Sequence, residues 1–290
     1  MENVGGQAVI EGVMMKAKDT IVTAVRKPTG EIVYQKKKFK SLTKKPVLKW
    51  PFIRGIVNLI EMLVIGIKSL NYSTDIAMDE EGTGKHEKLS WFHILITIVL
   101  SLGLALVLFK FVPLLITQLL NNNVSLFENR YIFNITEGLL KIMILVLYIY
   151  VISYFADIKR TFMYHGAEHK AVHCYESGKE LIVKNCRKFS TIHPRCGTSF
   201  ILLVLGISII VYIFLPLDIS IWSKYGLRLL LLPVIAGISY EVLKLSAKHQ
   251  KNIILKLIMA PGLALQRLTT NEPTDDQIEV ALFSLKKALK

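Results

Sequence analysis

Four of the chain's seven histidines lie between residues 165 and 193, and all three cysteines (Cys174, Cys186, Cys196) fall in the same region. The stretch reads His165-Gly-Ala-Glu168-His169-Lys-Ala-Val-His173-Cys174, followed by His193-Pro-Arg-Cys196. On a helix, positions 165, 169 and 173 are spaced i, i+4, i+8 and share one face, with Glu168 beside it. Two imidazoles one turn apart can hold one divalent ion, and zinc suits them best. The carboxylate between them can serve as general base toward a water. His-x-x-Glu-His is also the inverted zinc-peptidase pattern, although only three of its five positions are fixed. His193-x-x-Cys196 has the spacing of a zinc knuckle. The candidate metal ligands are therefore His165, His169, His173, Cys174, His193 and Cys196, with Glu168 as candidate catalytic base. Glu241 joins the ligand candidates because it emerges from the last apolar stretch on the same predicted side.

These residues need elements to hold them, and composition limits the choice. Of 290 residues, 52% are apolar, and the net charge is +14; mean hydropathy is +0.44. A chain this basic could bind nucleic acid, but the long apolar runs point to the membrane and away from a nucleic-acid partner. The first fifty residues lack the continuous apolar core of a cleavable signal peptide. Three cysteines on a basic, predicted cytosolic loop imply thiols or thiolate ligands, not disulfides.

The predicted fold is mainly α: a polytopic membrane protein with about four transmembrane helices and a small β-rich cytosolic unit at residues 1–50. In that unit Val4–Met15 reads as one strand with glycine breaks. Thr20–Arg26 and Glu31–Lys37 flank the turn Lys27-Pro-Thr-Gly30. Gly5, Gly6 and Gly12 allow close backbone approach or, alternatively, a phosphate cradle. Residues 51–90 are expected to be an interfacial helix or re-entrant hairpin (Pro51–Leu70) and an acidic linker. The membrane domain spans 91–245, with crossings at Trp91–Leu120, Leu139–Phe155, Thr198–Leu217 and Gly226–Tyr240. Residues 246–290 form an interfacial segment and a helix capped by Thr274 and Gln277.

Orientation follows from charge. Residues 157–197 and 242–290 carry eight Lys/Arg each, whereas 121–136 and 218–225 carry one each. The positive-inside rule puts both termini and the His/Cys loop in the cytosol. Lys110, Lys141 and Arg228 fall inside apolar stretches; they are expected to snorkel or face neighbouring helices, with an ion path as the alternative.

The motifs Gly5-Gly-Gln-Ala-Val-Ile-Glu-Gly-Val-Met-Met15, His165-Gly-Ala-Glu-His-Lys170, His193-Pro-Arg-Cys-Gly-Thr-Ser199 and the Glu272-Pro tail together resemble the bacterial YqhQ-like membrane proteins. The resemblance covers nearly the whole chain. It implies a multi-pass protein of the bacterial inner membrane, catalogued as a domain of unknown function and labelled a predicted metal-dependent enzyme.

Three readings of the site stay open. In the first, a membrane-embedded metal-dependent hydrolase uses Glu168 to activate water against a lipid, polyprenyl phosphate or peptide at the cytosolic face. In the second, a structural zinc held by His173 or Cys174 with His193 and Cys196 staples the loop of a scaffold or assembly factor. Its partners would be other membrane proteins. In the third, the histidines hydrogen-bond to neighbours without metal. Arg195 and Lys170 could bind anionic lipid under the first two.

Overall fold

The computed structural model describes residues 4–78, 91–249 and 251–290, with backbone only for residues 91, 93 and 94. The N-terminal strands form one antiparallel meander, β1 (Val4–Val9), β2 (Gly12–Ala17), β3 (Thr20–Arg26) and β4 (Ile32–Lys38), in spatial order 1-2-3-4. The stretch expected to be one strand is thus a hairpin. Val9 pairs with Gly12, and Ile10-Glu11 turn between them, with Glu11 at a φ of 50°. A side chain at position 12 would collide with the carbonyl of Ala24 on β3, so the close packing of strands explains that glycine. The last strand ends in Lys36-Lys37-Lys38, the charged side chains that keep an exposed sheet edge from pairing further.

Both faces of the sheet are covered by later segments. On one face Val13, Met15, Val22 and Ala24 meet α5 (Ala156–Glu176), α6 (Val183–Cys186) and α11 (Asp275–Leu289). The opposite face presents Val9, Met14, Ile21 and Val25 to α1 (Ile53–Ala77). Burial on both sides accounts for the unbroken apolar runs of β2 and β3, which alternation alone would not produce. The C-terminal helix starts at the predicted place: Gln277 Oε1 accepts from the Thr274 backbone N–H at 2.9 Å, closing a capping box.

Helix α1 is continuous over 25 residues, so Pro51–Leu70 is not a re-entrant hairpin. Polar side chains pin its N-terminal half. Glu61 accepts from Ser41 Oγ and the Leu42 N–H, and Asn58 donates to Tyr240 Oη at 2.8 Å. The acidic linker residues 79–90 lie outside the described residues.

Among the described residues, two helices are long and apolar enough to cross a membrane: Leu95–Asn123 and α4 (Arg130–Ile152). The first comprises α2 (Trp91–Leu106), a π turn at Val107–Phe111 and α3 (Val112–Asn123). Pro113 cannot donate to the carbonyl one turn back and crowds it, and the wider π turn lies just before it. Helices α8 (Ile221–Leu230) and α9 (Leu232–Lys248) meet at 42° and count as a third crossing if taken together. The predicted crossing Thr198–Leu217 falls on α7 (Gly197–Tyr212), a shorter apolar helix of 16 residues. At 1.5 Å per residue it is about 24 Å long, short of a ~30 Å hydrocarbon core. Leu95, Val99, Leu100, Leu102 and Leu104 are exposed, as lipid-facing side chains would be.

The tail segment expected to dip into the interface is α10 (Ile253–Thr269), which runs through Pro261 and packs along α7. A side chain at Gly262 would press into Ser199, so the two helices nearly touch there. This contact brings the end of α10 to the histidines.

Candidate metal centre

Helix α5 carries the histidines on the face predicted from their spacing. It is fastened to the sheet by Glu11, which takes Arg160 and, at 3.2 Å, Tyr164 Oη. Lys170 ties it to the tail, reaching Glu272 at 2.6 Å and the Arg187 carbonyl at 2.9 Å. Gly166 is required here, because a side chain would collide with the Asn271 carbonyl as the tail passes.

His165, His169 and Cys196 converge, with their candidate ligand atoms all within 4.8 Å of one another. Each imidazole is anchored through its other nitrogen. His165 Nδ1 lies 2.8 Å from the Thr269 carbonyl at the end of α10. His169 Nδ1 lies 2.5 Å from the Thr191 carbonyl. A carbonyl only accepts, so each Nδ1 carries a proton, and in the neutral ring each Nε2 presents a lone pair. This backbone support of the far nitrogen is the usual outer shell of a metal-ligating histidine. His165 Nε2 lies 3.2 Å from Cys196 Sγ. Cys196 caps the N-terminus of α7, where Sγ accepts from the Thr198 N–H at 3.4 Å.

His169 Nε2 decides whether the group fits an ion. It is buried and makes no hydrogen bond, and Glu168 Oε2 stands 3.5 Å away. A lone pair facing a carboxylate in a buried setting is repulsive unless a positive charge sits between them. A proton or a metal cation would satisfy it. With two nitrogens and a sulfur also converging, the donor set fits zinc.

The remaining candidates go elsewhere. His173, Glu176 and His193 make a second cluster, joined to the first by the His169 and His193 rings at 5.6 Å. Here the polar atoms satisfy one another. His173 Nε2 meets the Ile192 carbonyl at 2.9 Å. His193 Nδ1 accepts from the Arg195 N–H at 3.3 Å, leaving Nε2–H for Glu176 at 3.3 Å. Arg195 also pairs with Glu176. Burial, with His173 and His169 nearby, pushes His193 down to about 3, so its ring is neutral. Burial likewise lowers His173. We read this second cluster as support for the first.

Cys174 is on another side of α5, in the core with Cys186, and its Sγ points at the Glu180 carbonyl. Glu241 is taken by Arg54 and the Phe52 N–H, and it belongs to neither histidine cluster. The structure thus brings Glu168, His165, His169 and Cys196 together, sets His173 and His193 beside them, and leaves Cys174 and Glu241 out.

Three contributors escaped the sequence reading: the Thr191 and Thr269 carbonyls, and Gln266. Fully buried Gln266 accepts from the His193 N–H at 2.8 Å and donates to the His193 carbonyl and to Ser199 Oγ. Its amide clamps the His193 backbone to α7. A polar residue within an apolar helix was the available signal for Gln266. The threonines act through backbone carbonyls, which no residue type announces.

His165, His169 and His193 line the wall of a cavity of about 870 Å³ bounded by β1, α1, α5, α7 and α9. Gly5 and Gly6 form one side, and a side chain at Gly6 would meet Glu168 Cγ at 3.0 Å. Lys16, Lys18 and Arg195 add positive charge; Leu59, Met62, Phe162, Phe200 and Leu243 add apolar surface.

A family model described as Protein of unknown function (DUF1385) matches residues 50–290. The Bacillus subtilis (strain 168) protein named Uncharacterized protein YqhQ is 39% identical over 296 residues, covering 99% of this chain and 92% of that protein. No solved structure gives a significant match.

Proposed function

Because the chain belongs to the DUF1385 family of proteins of unknown function, its activity must be argued from its own site, and we propose that it is a membrane-embedded, zinc-dependent hydrolase acting at the cytosolic membrane face. The observation that carries this reading is the pair His169 Nε2 and Glu168, a bare lone pair and a carboxylate 3.5 Å apart beside two further ligand atoms. His165, His169 and Cys196 would hold the ion. Three protein ligands leave a coordination position open, as catalytic zinc sites do and structural ones do not. When bound, a divalent cation supplies Lewis acidity and a more acidic water.

The chain's own residues do the rest. Glu168, held against Gly6, accepts the proton of the attacking water and can return it to the leaving group. Arg195, Lys16 and Lys18 favour an anionic substrate, and the apolar wall suits a hydrocarbon chain. A lipid or polyprenyl phosphate fits this mixture better than a peptide does. The apolar helices, with the positive-inside count, support a multi-pass protein of the bacterial inner membrane with both termini in the cytosol.

The scaffold reading with a structural zinc needs His193 and Cys196 on one ion, and these residues fall in different clusters. Glu168→Gln tests the enzyme reading. This variant keeps the shape of the carboxylate but cannot take a proton. It should retain its metal and melting temperature yet fail to complement a strain lacking the protein. Full complementation by Glu168→Gln would remove the catalytic role.

A further inference from the structure

Lys110, Lys141 and Arg228 do not snorkel. Each is buried among the apolar helices, together with Lys224 and a completely buried Glu137. Glu137 accepts from Arg228 Nε at 2.9 Å on both oxygens, from Arg228 Nη2 at 2.5 Å and from Lys141 Nζ at 2.5 Å. Asn134 Oδ1 takes a further Arg228 proton at 3.0 Å, and Lys224 donates to Gln118 Oε1 at 2.7 Å. The Tyr212 ring lies at the centre, its centroid 4.7 Å from Lys141 Nζ, 5.1 Å from Arg228 Cζ and 5.8 Å from Lys110 Nζ.

The charges do not balance. Four cationic side chains share Glu137, with Asp218 near Lys224. Lys110 is 8% exposed, sits in the π turn, and its Nζ is buried without a hydrogen-bond partner. An unpaired ammonium in an apolar setting is costly, and a ring face recovers only part of its lost hydration. Ionisable groups at this depth in apolar helices mark sites by default, and π turns often accompany them. Lys110 retains three donors, and Lys141 and Lys224 retain two each beyond the bonds above.

We propose that this cluster is a second ligand site, one that takes a phosphate oxyanion between Lys110 and Lys141, whose ammonium groups converge on the Tyr212 ring. Ammonium groups bind phosphate as point charges, and a bound phosphate supplies the missing negative charge. The oxyanion would come from the headgroup of a phospholipid reaching in from the bilayer or from free phosphate. The site shares no residue with the histidine centre and stands whether or not that centre is catalytic.

The test uses the full-length protein purified in detergent without phosphate, as wild type, Lys110→Arg and Lys110→Met. Native mass spectrometry reads phospholipid retained or added back as phosphatidylglycerol. Thermal melting in sodium phosphate against sodium chloride at matched ionic strength reads the free ion. Lys110-dependent retention of phospholipid identifies the lipid source. A Lys110-dependent rise in melting temperature specific to phosphate identifies the free ion. In either case Lys110→Arg should retain the effect, and Lys110→Met should bind about tenfold less, as expected for loss of one charge-assisted hydrogen bond. Stripped of ligand, Lys110→Met should melt no lower than wild type, since it removes an uncompensated charge. The proposal is overturned if neither probe shows a Lys110-dependent response, or if ligand-free Lys110→Met melts well below wild type.

Discussion

The two nitrogens of His169 have opposite fates, and the site's chemistry follows from that difference. Nδ1 is spent on a backbone carbonyl, and Nε2 is left bare beside a carboxylate. The i, i+4 spacing of His165 and His169 with Glu168 between them made this face legible from sequence, because helical periodicity alone brings the three together. Cys196 was also legible as a rare residue type. The structure sets His173 in a second group with Glu176 and His193, and it places Cys174 and Glu241 beside other partners; residue type and spacing name a face but not a partner. Gln266 illustrates the opposite failure. It lies 73 residues from His193 in sequence, and only the packing of α10 on α7 makes it a clamp. Gln266→Leu keeps the volume but strands the buried His193 N–H and carbonyl. It should lower stability by about 2–6 kcal/mol, at ~1–3 kcal/mol for each of the two unsatisfied groups. Denaturant unfolding in detergent would read this loss, and an unchanged midpoint would mean that the clamp carries no load.

At the level of elements, the strands after the first hairpin, α11 and its capping box follow from local pattern. The hairpin turn at Ile10-Glu11 did not, since it lacks the Gly or Asn that usually marks one. Helix α1 was read too short and too loosely because its polar residues suggested an interface. They are in fact its fastenings, Glu61 to the Ser41 segment and Arg54 to Glu241. Helix α11 forms one face of the core through Ile278, Ala281, Leu282 and Leu285, all buried against the sheet and α5. A chain ending at Asn271 should therefore lose the sheet together with the helix, and proteolysis should clip residues 1–50 rapidly. A protease-resistant sheet in that truncation would show that the N-terminal unit folds alone. On the opposite face, Met14→Ala empties a fully buried position between the sheet and α1. It should cost about 2–5 kcal/mol in the same unfolding measurement.

For the whole molecule, the sheet, α5 and α11 pack on one another, and α1 bridges the sheet to α9. The histidine centre and its cavity lie between β1, α1, α5, α7 and α9. The charge counts predict an orientation, which is a matter for reporter fusions, and the number of crossings depends on how the shorter and bent apolar helices are counted. A 16-residue α7 and a bent α8–α9 pair are apolar enough to read as spans, although neither is one straight helix of full length. Reporter fusions after Lys188 and after Lys224 should report the cytosol and the exterior, respectively. The reverse assignment would place the histidines outside the cell and contradict the proposed site of action.

The central claim is that His165, His169 and Cys196 bind one ion, and elemental analysis of the protein purified without added metal or chelator tests it most directly. Wild type should carry about one equivalent of zinc, as a three-ligand site requires. His165→Ala, His169→Ala and Cys196→Ala should each lose it, while Cys174→Ala and Glu241→Gln should keep it. Absence of metal from wild type, or its retention in all three ligand variants, would contradict the account.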